Sequence, residues 1–323
     1  MNLKTKKSLK IIIPLLFGGG LIWYLFTIIP PKTLLEYFKN ANYWWISLGL
    51  FFGILSHLSR AYRWKFMLEP MGYTPRFINS ALAVLIGYFV NLAIPRAGEV
   101  SRASVMANYE NIPFEKGFGT IVAERIADLI MMFLIIGVTL LIQFDFILQL
   151  VKEKLDPVKI IIGLAVCLIG GFFFYKYVRK STKGLGLKIK KFIKSLVEGV
   201  TSIFRMKNKW AFIFHTLFIW GLYILMFYVT SFSLEETSQI PFTAILIGFI
   251  FASFSIAMTN GGIGSYPEAI VIAFTLFGLP EDPSRAFGWI MWTSQTLMVI
   301  VLGGLSLFFL PIYNKAYPKQ TSE

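Results

Sequence analysis

Apolar residues run through this chain in long unbroken stretches, unlike the short periodic groups of a water-soluble domain. About 20 consecutive apolar residues suffice to cross a bilayer as a helix. Six segments of this kind predict spans at Ile11–Ile29, Tyr43–Leu58, Phe118–Ile142, Val158–Tyr177, Trp210–Phe232 and Phe287–Leu310. Two more are shorter and interrupted: Ser80–Ile94 stops at Pro95, and Phe242–Met258 stops at Asn260-Gly261-Gly262. Within 185–204, Ile189, Phe192, Ile193, Leu196, Val197, Val200, Ile203 and Phe204 recur at helical spacing among lysines. That pattern predicts an amphipathic helix on a membrane surface, or a lysine-rich tether. The expected fold class is an all-α, polytopic membrane bundle of about eight hydrophobic segments.

Loop charge orients these segments, because cytoplasmic loops collect Lys and Arg. Arg60, Arg63, Lys65 and Arg76 follow the second span, and residues 178–210 hold ten basic residues with Glu198 as the only acid. If all eight segments crossed, 178–210 would face outward against the rule. The conflict disappears if Ser80–Ile94 enters, turns at Pro95 and returns, and if Phe242–Phe277 does the same around Asn260–Gly264. Six spans and two re-entrant hairpins follow, with inverted halves at about 1–143 and 158–310 of one transmembrane domain, 1–323. Both termini and the basic segment 178–210 are then cytoplasmic, in a bacterial-type inner membrane. Trp44, Trp45, Trp64, Trp210 and Tyr313 lie near span ends, as interfacial anchors do.

Composition agrees and narrows the chemistry. The 323 residues are 56% apolar and 15% charged, against roughly 25% charged for a soluble domain. The net charge of +14 reads as basic loops against anionic lipid, not as a nucleic-acid surface. A single cysteine, Cys167, permits no intrachain disulfide, and His57 and His215 stand apart as packing or hydrogen-bonding groups. No metal or other cofactor is expected.

The informative residues are the charges and glycines within the apolar stretches, where an ionisable group is costly and needs a reason. In Asn91–Arg102, Pro95 breaks the helix and Gly98 permits close backbone approach. Arg96, Glu99 and Arg102 then fall at the tip or on the return arm, where arginine suits capture of phosphate or carboxylate. A helix starting near Pro113 carries Glu124, Arg125 and Asp128, with Glu124 about 16 Å along it. These three either bind a ligand or form a salt-bridge network that fixes the hairpin. In Thr259–Glu268, Asn260, Gly261, Gly262 and Gly264 mark unwound backbone that protein or a wet cavity must cover. Its free amides and the helix resuming near Pro267 make an anion-attracting end, or else a tight packing turn. A P-loop is excluded because the Gly-Lys-Ser/Thr element is missing.

Taken together, Pro95-Arg96-x-Gly98-Glu99-x-x-Arg102, Glu124-Arg125-x-x-Asp128 and Gly261-Gly262-Ile263-Gly264 resemble the flippase-like transmembrane family of lysylphosphatidylglycerol synthases. The resemblance runs over nearly the whole chain. It implies a lipid-handling domain that moves phospholipid between leaflets, aminoacylated phospholipid in the best-known relatives. It also implies that Arg96, Glu99, Arg102, Glu124, Arg125 and Asp128 form a headgroup cavity opposed by the Gly261–Gly264 turn. Two positions depart from the pattern: Asn260 stands where a proline is common, and Pro267 where an acid is, with Glu268 one place later. The synthases' aminoacyl-transfer domain has no counterpart in this sequence, so no enzyme is expected. The expected partners are membrane lipids of anionic or zwitterionic headgroup, a separate transferase docked on 178–210, or a second copy of the chain. The alternatives to translocation are an accessory subunit, or an enzyme of lipid or glycolipid modification with Glu124 or Asp128 as base.

Overall fold

The computed structural model describes residues 31–145, 206–259 and 261–317, with a few helical residues between 148 and 190. The expected span Ile11–Ile29, most of Val158–Tyr177, Cys167, Asn260 and most of the basic segment 178–210 lie outside the described residues. Those described form an all-α, multi-pass membrane bundle with no strand among them. They fall into two compact units, one holding the residues up to Ile121 and from Trp210 onward, the other Val122–Lys209.

The elements in chain order are α1 (Pro31–Asn40), α2 (Tyr43–Leu68), a 3₁₀ turn at Glu69–Met71, α3 (Phe77–Ala93), α4 (Ala97–Glu110) and α5 (Phe114–Ile142). After these come α6 (Lys209–Ser231), α7 (Glu235–Ser238), α8 (Phe242–Met258), α9 (Ser265–Thr275) and α10 (Glu281–Ala316). By length and composition α5, α6 and α10 are able to cross a membrane; they contain the expected spans Phe118–Ile142 and Phe287–Leu310, and Trp210–Phe232 but for its last residue. Helix α2 departs from expectation. The segment Tyr43–Leu58 continues as helix to Leu68, so Arg60 and Arg63 are not loop residues. Both are buried, at 2% and 0% exposure. Trp64 is not an interfacial anchor either, being fully buried, whereas Trp44 and Trp210 are 70% and 74% exposed.

The two interrupted segments each fold as a helical hairpin. Helices α3 and α8 have 17 residues each. At 1.5 Å per residue that is about 26 Å, short of the roughly 30 Å hydrocarbon core. Their return arms are shorter still, 14 residues in α4 and 11 in α9. The arms of each hairpin pack side by side, and α10 packs on both α3 and α9.

Small residues set these contacts, as expected where lipid removes the hydrophobic drive between helices and leaves packing. A Cβ on Gly303 of α10 would stand 2.4 Å from Phe89 Cβ of α3, and one on Gly288 would stand 2.5 Å from Pro267 Cα of α9. Behind the second hairpin, Phe287 stacks on Phe274 at 5.5 Å and meets Phe227 edge-on at 5.2 Å. In the first hairpin the arms meet at Gly98, where a Cβ would stand 2.1 Å from the Gly87 carbonyl. Gly98→Val is expected to lower unfolding free energy by about 1–3 kcal/mol, the usual cost of overpacking. Gly119→Ala in α5, where nothing lies within 4 Å, is expected to leave stability unchanged or slightly raised. Thermal unfolding of the purified chain in detergent checks both.

Candidate functional site

The tip of the first hairpin is built from the residues the sequence marks. Helix α3 ends at Ala93, Ile94 is extended, and Arg96 takes a left-handed conformation (φ 65°, ψ 5°) before α4 begins. That conformation is uncommon for a residue with a side chain. The turn is held by the Gly98 amide, which donates to Asn91 Oδ1 at 2.7 Å, so the first arm caps the second. Ser101 donates to the Gly98 carbonyl at 2.8 Å. Arg96 is left exposed at the tip, Glu99 is half-buried one turn on, and Arg102 is buried at 3% exposure.

Arg102 reaches across Gly87 and lies over the Trp64 ring, its guanidinium 4.4 Å from the centroid. Trp64 Nε1 in turn donates to Thr120 Oγ1 at 2.8 Å. The first hairpin is thereby docked on α2, one turn past Arg60. His57, Arg60, Arg63 and Trp64 follow one another at three- and four-residue spacing and share a face. Arg60 Nη2 donates to Tyr223 Oη at 3.4 Å, and Arg63 Nη1 to Thr216 Oγ1 at 2.8 Å. Ser59 Oγ and His215 Nδ1 are hydrogen-bonded at 2.8 Å, the second of the two roles, packing or hydrogen bonding, expected for that histidine. A sequence reading places Arg60 and Arg63 outside the apolar region because the run breaks at Ser59. The available signal is the absence of Gly, Pro or any cap between Ser59 and Leu68.

On α5, within the second unit, Glu124 is fully buried and Asp128 is 9% exposed. Arg125 pairs with Asp128 at 3.6 Å, the three-residue partnership its spacing suggests. Arg96, Glu99 and Arg102 therefore share the first hairpin, and Glu124, Arg125 and Asp128 share α5.

The second hairpin turns with a backbone similar to that of the first. Its first arm ends on an extended residue, Thr259, and its second arm starts from a positive-φ cap, Gly264 (φ 71°), where the first hairpin has Arg96. Gly261 and Gly262 also have positive φ, at 74° and 77°. Hydroxyls stitch the break. Ser255 Oγ and Ser265 Oγ are 2.7 Å apart, Thr259 Oγ1 and Ser265 Oγ 3.0 Å, and the Gly262 amide donates to Thr259 Oγ1 at 3.1 Å. Trp292 Nε1 of α10 donates to the Gly261 carbonyl at 2.8 Å. The helix resumes at Ser265, two residues before Pro267. Glu268 is committed elsewhere, ion-paired with Arg285, whose side chain is 3% exposed and also meets Glu281 at 3.2 Å. Among the described residues no group of three His, Cys, Asp or Glu is arranged to hold a metal ion.

A conformational test separates the backbone role of Arg96 from its charge. Arg96→Gly removes the left-handed strain of a side-chain residue, which costs roughly 1–2 kcal/mol. The variant is expected to unfold at the same temperature as wild type or a few degrees higher. A Tm several degrees lower would show that the Arg96 side chain holds the turn.

A family model described as the lysylphosphatidylglycerol synthase TM region matches residues 11–304. The chain is similar to the UPF0104 membrane protein MJ1595 of Methanocaldococcus jannaschii, 24% identical over 332 residues that cover 95% of each. It is also similar, over 113 residues at 28% identity, to the glycosyltransferase AglD of Haloferax volcanii, covering 35% of this chain and 18% of that protein. No solved structure matches it significantly. On a match of this extent, the chain belongs to the lysylphosphatidylglycerol synthase transmembrane-region family.

Proposed function

We propose that the protein is a flippase-like transporter that carries the headgroup of a phospholipid or lipid-linked compound between leaflets. The observation that carries this reading is the pair of broken apolar hairpins packed against one long helix, α10, with charge at the first tip and unwound glycine backbone at the second. Arms of about 26 Å, with shorter returns, suit segments that enter a bilayer and leave by the same face. Shared tip geometry, with Arg96 in the place of Gly264, supports an internal repeat, and the inverted orientation follows from loop charge. In that arrangement both termini are cytoplasmic, six segments cross, and the whole chain is one transport domain with halves at about 1–143 and 158–310. Broken helices meeting at the midplane between inverted repeats are a common plan for alternating access.

Arg96, Glu99, Arg102, Glu124, Arg125 and Asp128, with Asn260, Gly261, Gly262 and Gly264, are the residues proposed to handle the headgroup. Arginines attract its anionic part and the unwound glycine backbone lets it approach closely, while the carboxylates balance them or meet an amine. Acyl tails remain in lipid while the two halves rock. A second reading has one specific support, the local similarity to a glycosyltransferase. In it the chain is an accessory membrane subunit that receives a separate transferase on the basic segment 178–210.

Reconstitution in liposomes with fluorescent phospholipid, followed by dithionite quenching, tests the leading reading. Wild-type protein is expected to move label across the bilayer well above the protein-free rate. Arg96→Gly, although folded, is expected to lose about 90% of that activity, the loss of roughly one charge-assisted contact. Wild-type vesicles no faster than empty ones would overturn the proposal. Co-purification of a transferase from such inactive protein would move the assignment to the second reading.

A further inference from the structure

At the foot of the first hairpin, away from its tip, the end of α2 and the start of α3 enclose a pocket of about 220 Å³. It lies wholly within the first unit. Local structure explains why a space is left there. The 3₁₀ turn after α2 closes on a left-handed Gly72 (φ 85°), whose amide donates to the Glu69 carbonyl at 2.9 Å. The Tyr73 amide reaches back to the Leu68 carbonyl at 3.2 Å, and residues 73–76 then run without helix to α3. This connection is pinned at both ends. Lys116 donates to Tyr73 Oη at 3.1 Å, and Arg76 pairs with Glu110 at 2.8 Å. The pocket is therefore preformed, and a ligand need not order it.

Ala61, Pro75 and Ser80 are its buried lining, Tyr62, Thr74 and Phe77 its exposed rim, and Lys65 is half-buried. Ala61 and Lys65 are four apart on α2, and Phe77 and Ser80 three apart on α3, so each pair shares a face. Ring contacts with His215 at 5.1 Å, Phe66 at 5.5 Å and Phe77 at 6.1 Å hold Tyr62 in place. Ser80 is 2% exposed, yet its hydroxyl has no hydrogen-bond partner among the described residues. A buried hydroxyl left unpaired is uncommon and points to a ligand or water that meets it. The hydroxyls of Tyr62 and Thr74 also have no partner among the described residues. Lys65 adds an ammonium with three donors, of which Glu69 at 3.3 Å engages one. No Asp or Glu is among the described residues lining the pocket. Three hydroxyls and an ammonium without a lining carboxylate suit a ligand rich in acceptors, and phosphate oxygens are of that kind.

The rim selects among phosphate compounds. Tyr62, Phe77 and the neighbouring Ile78 are 42%, 45% and 45% exposed, an apolar surface that free phosphate cannot use. A phospholipid can, because its acyl chains leave the glycerol beside the phosphate. Depth agrees, since α3 carries the chain about 24 Å from Phe77 to the tip turn, which sets the foot near the edge of the hydrocarbon core. We infer that the pocket binds the phosphate of one membrane phospholipid, with Lys65 and Ser80 as donors and the acyl chains along Tyr62, Phe77 and Ile78. In the orientation that loop charge favours, this lipid belongs to the cytoplasmic leaflet. The site is separate from the tip that is proposed to handle the headgroup in transit, so it stands or falls independently of translocation.

Photolabelling of the full chain in detergent tests this, with phosphatidylglycerol that carries a diazirine high on one acyl chain. Mass spectrometry of the digested protein is expected to find label within 59–80. Lys65→Gln with Ser80→Ala is expected to lower that label about tenfold, the worth of a hydrogen bond to a charged group. A diacylglycerol with the same diazirine but no phosphate is expected to label the segment about tenfold less than the phospholipid. Equal labelling by the two probes, or labelling unchanged in the double variant, overturns the inference. Ser80→Ala alone is expected to reduce label several-fold and leave the Tm without added lipid unchanged, because the hydroxyl serves no partner within the fold. A Tm several degrees lower would assign that hydroxyl to the fold and overturn its role as a ligand donor. If the double variant does not elute as a single species, Ser80→Ala and the diacylglycerol comparison decide. Loss of label to inorganic phosphate at the probe's own concentration would make free phosphate the ligand and overturn the lipid assignment. Arg96→Gly is expected to keep wild-type labelling at the foot, and loss of it there would overturn the site's independence from the tip. Label at the foot without lipid movement in liposomes would leave this inference standing and remove the transport reading. Movement without such label would do the reverse.

Discussion

Hydrocarbon offers no water to an unpaired amide, and the architecture is largely a response to that fact. A helix that stops inside an apolar region exposes carbonyls at one end and amides at the other. Both hairpins break in this way, and side chains of the hairpins and of α10 supply bonds to the broken backbone. At the first tip Asn91 accepts the Gly98 amide. At the second, Thr259, Ser255 and Ser265 share their hydroxyls around the break, and Trp292 donates to the Gly261 carbonyl. With those bonds made, the second tip rests against α10 through Trp292. The arms then need to approach closely, and Gly87 against Gly98 makes that possible.

The ends of α10 are treated as carefully as the tips. Near its start, Arg285 is enclosed by Glu268, Glu281 and Asp282. Near its finish, Asn314 joins Arg76, Asn79 and Glu110, with Arg76 Nη2 donating to Asn314 Oδ1 at 2.6 Å and Asn79 donating there at 2.8 Å. Arg76 also donates to the Tyr109 carbonyl at 3.1 Å and stacks on Tyr313. These clusters tie α10 to α9 at one end and to the base of the first hairpin at the other. A helix pinned in this manner serves both hairpins as a common wall, and its glycines, Gly288 and Gly303, are where each hairpin seats.

Much of this was legible in the residues. Unbroken apolar runs locate α5, α6 and α10 because a lipid-facing helix has no polar stripe to obscure its limits. Pro95 and the glycines at 261–264 announce broken helices, since no other residues relieve the i→i+4 ladder or adopt positive φ so readily. Arg60, Arg63 and Trp64 read wrongly for an equally physical reason. Hydropathy averages over a helix, and a basic stretch after an apolar one looks like a loop. A buried arginine is distinguished only by what closes over it, and that depends on neighbours distant in sequence: Thr216 and Tyr223 for the arginines, Arg102 for the tryptophan.

The division of labour follows from range. Local sequence by itself determined that this is a helical membrane protein of its family, where its helices break, and which charges are too costly to be accidental. Those properties depend on transfer free energy and backbone conformation, which each residue carries with it. Tertiary structure alone decided that α2 continues through Leu68, that Glu268 belongs to Arg285, and that Arg60 and Arg63 are buried beside Tyr223 and Thr216. Burial is a property of what surrounds a residue, and only folding brings those surroundings together.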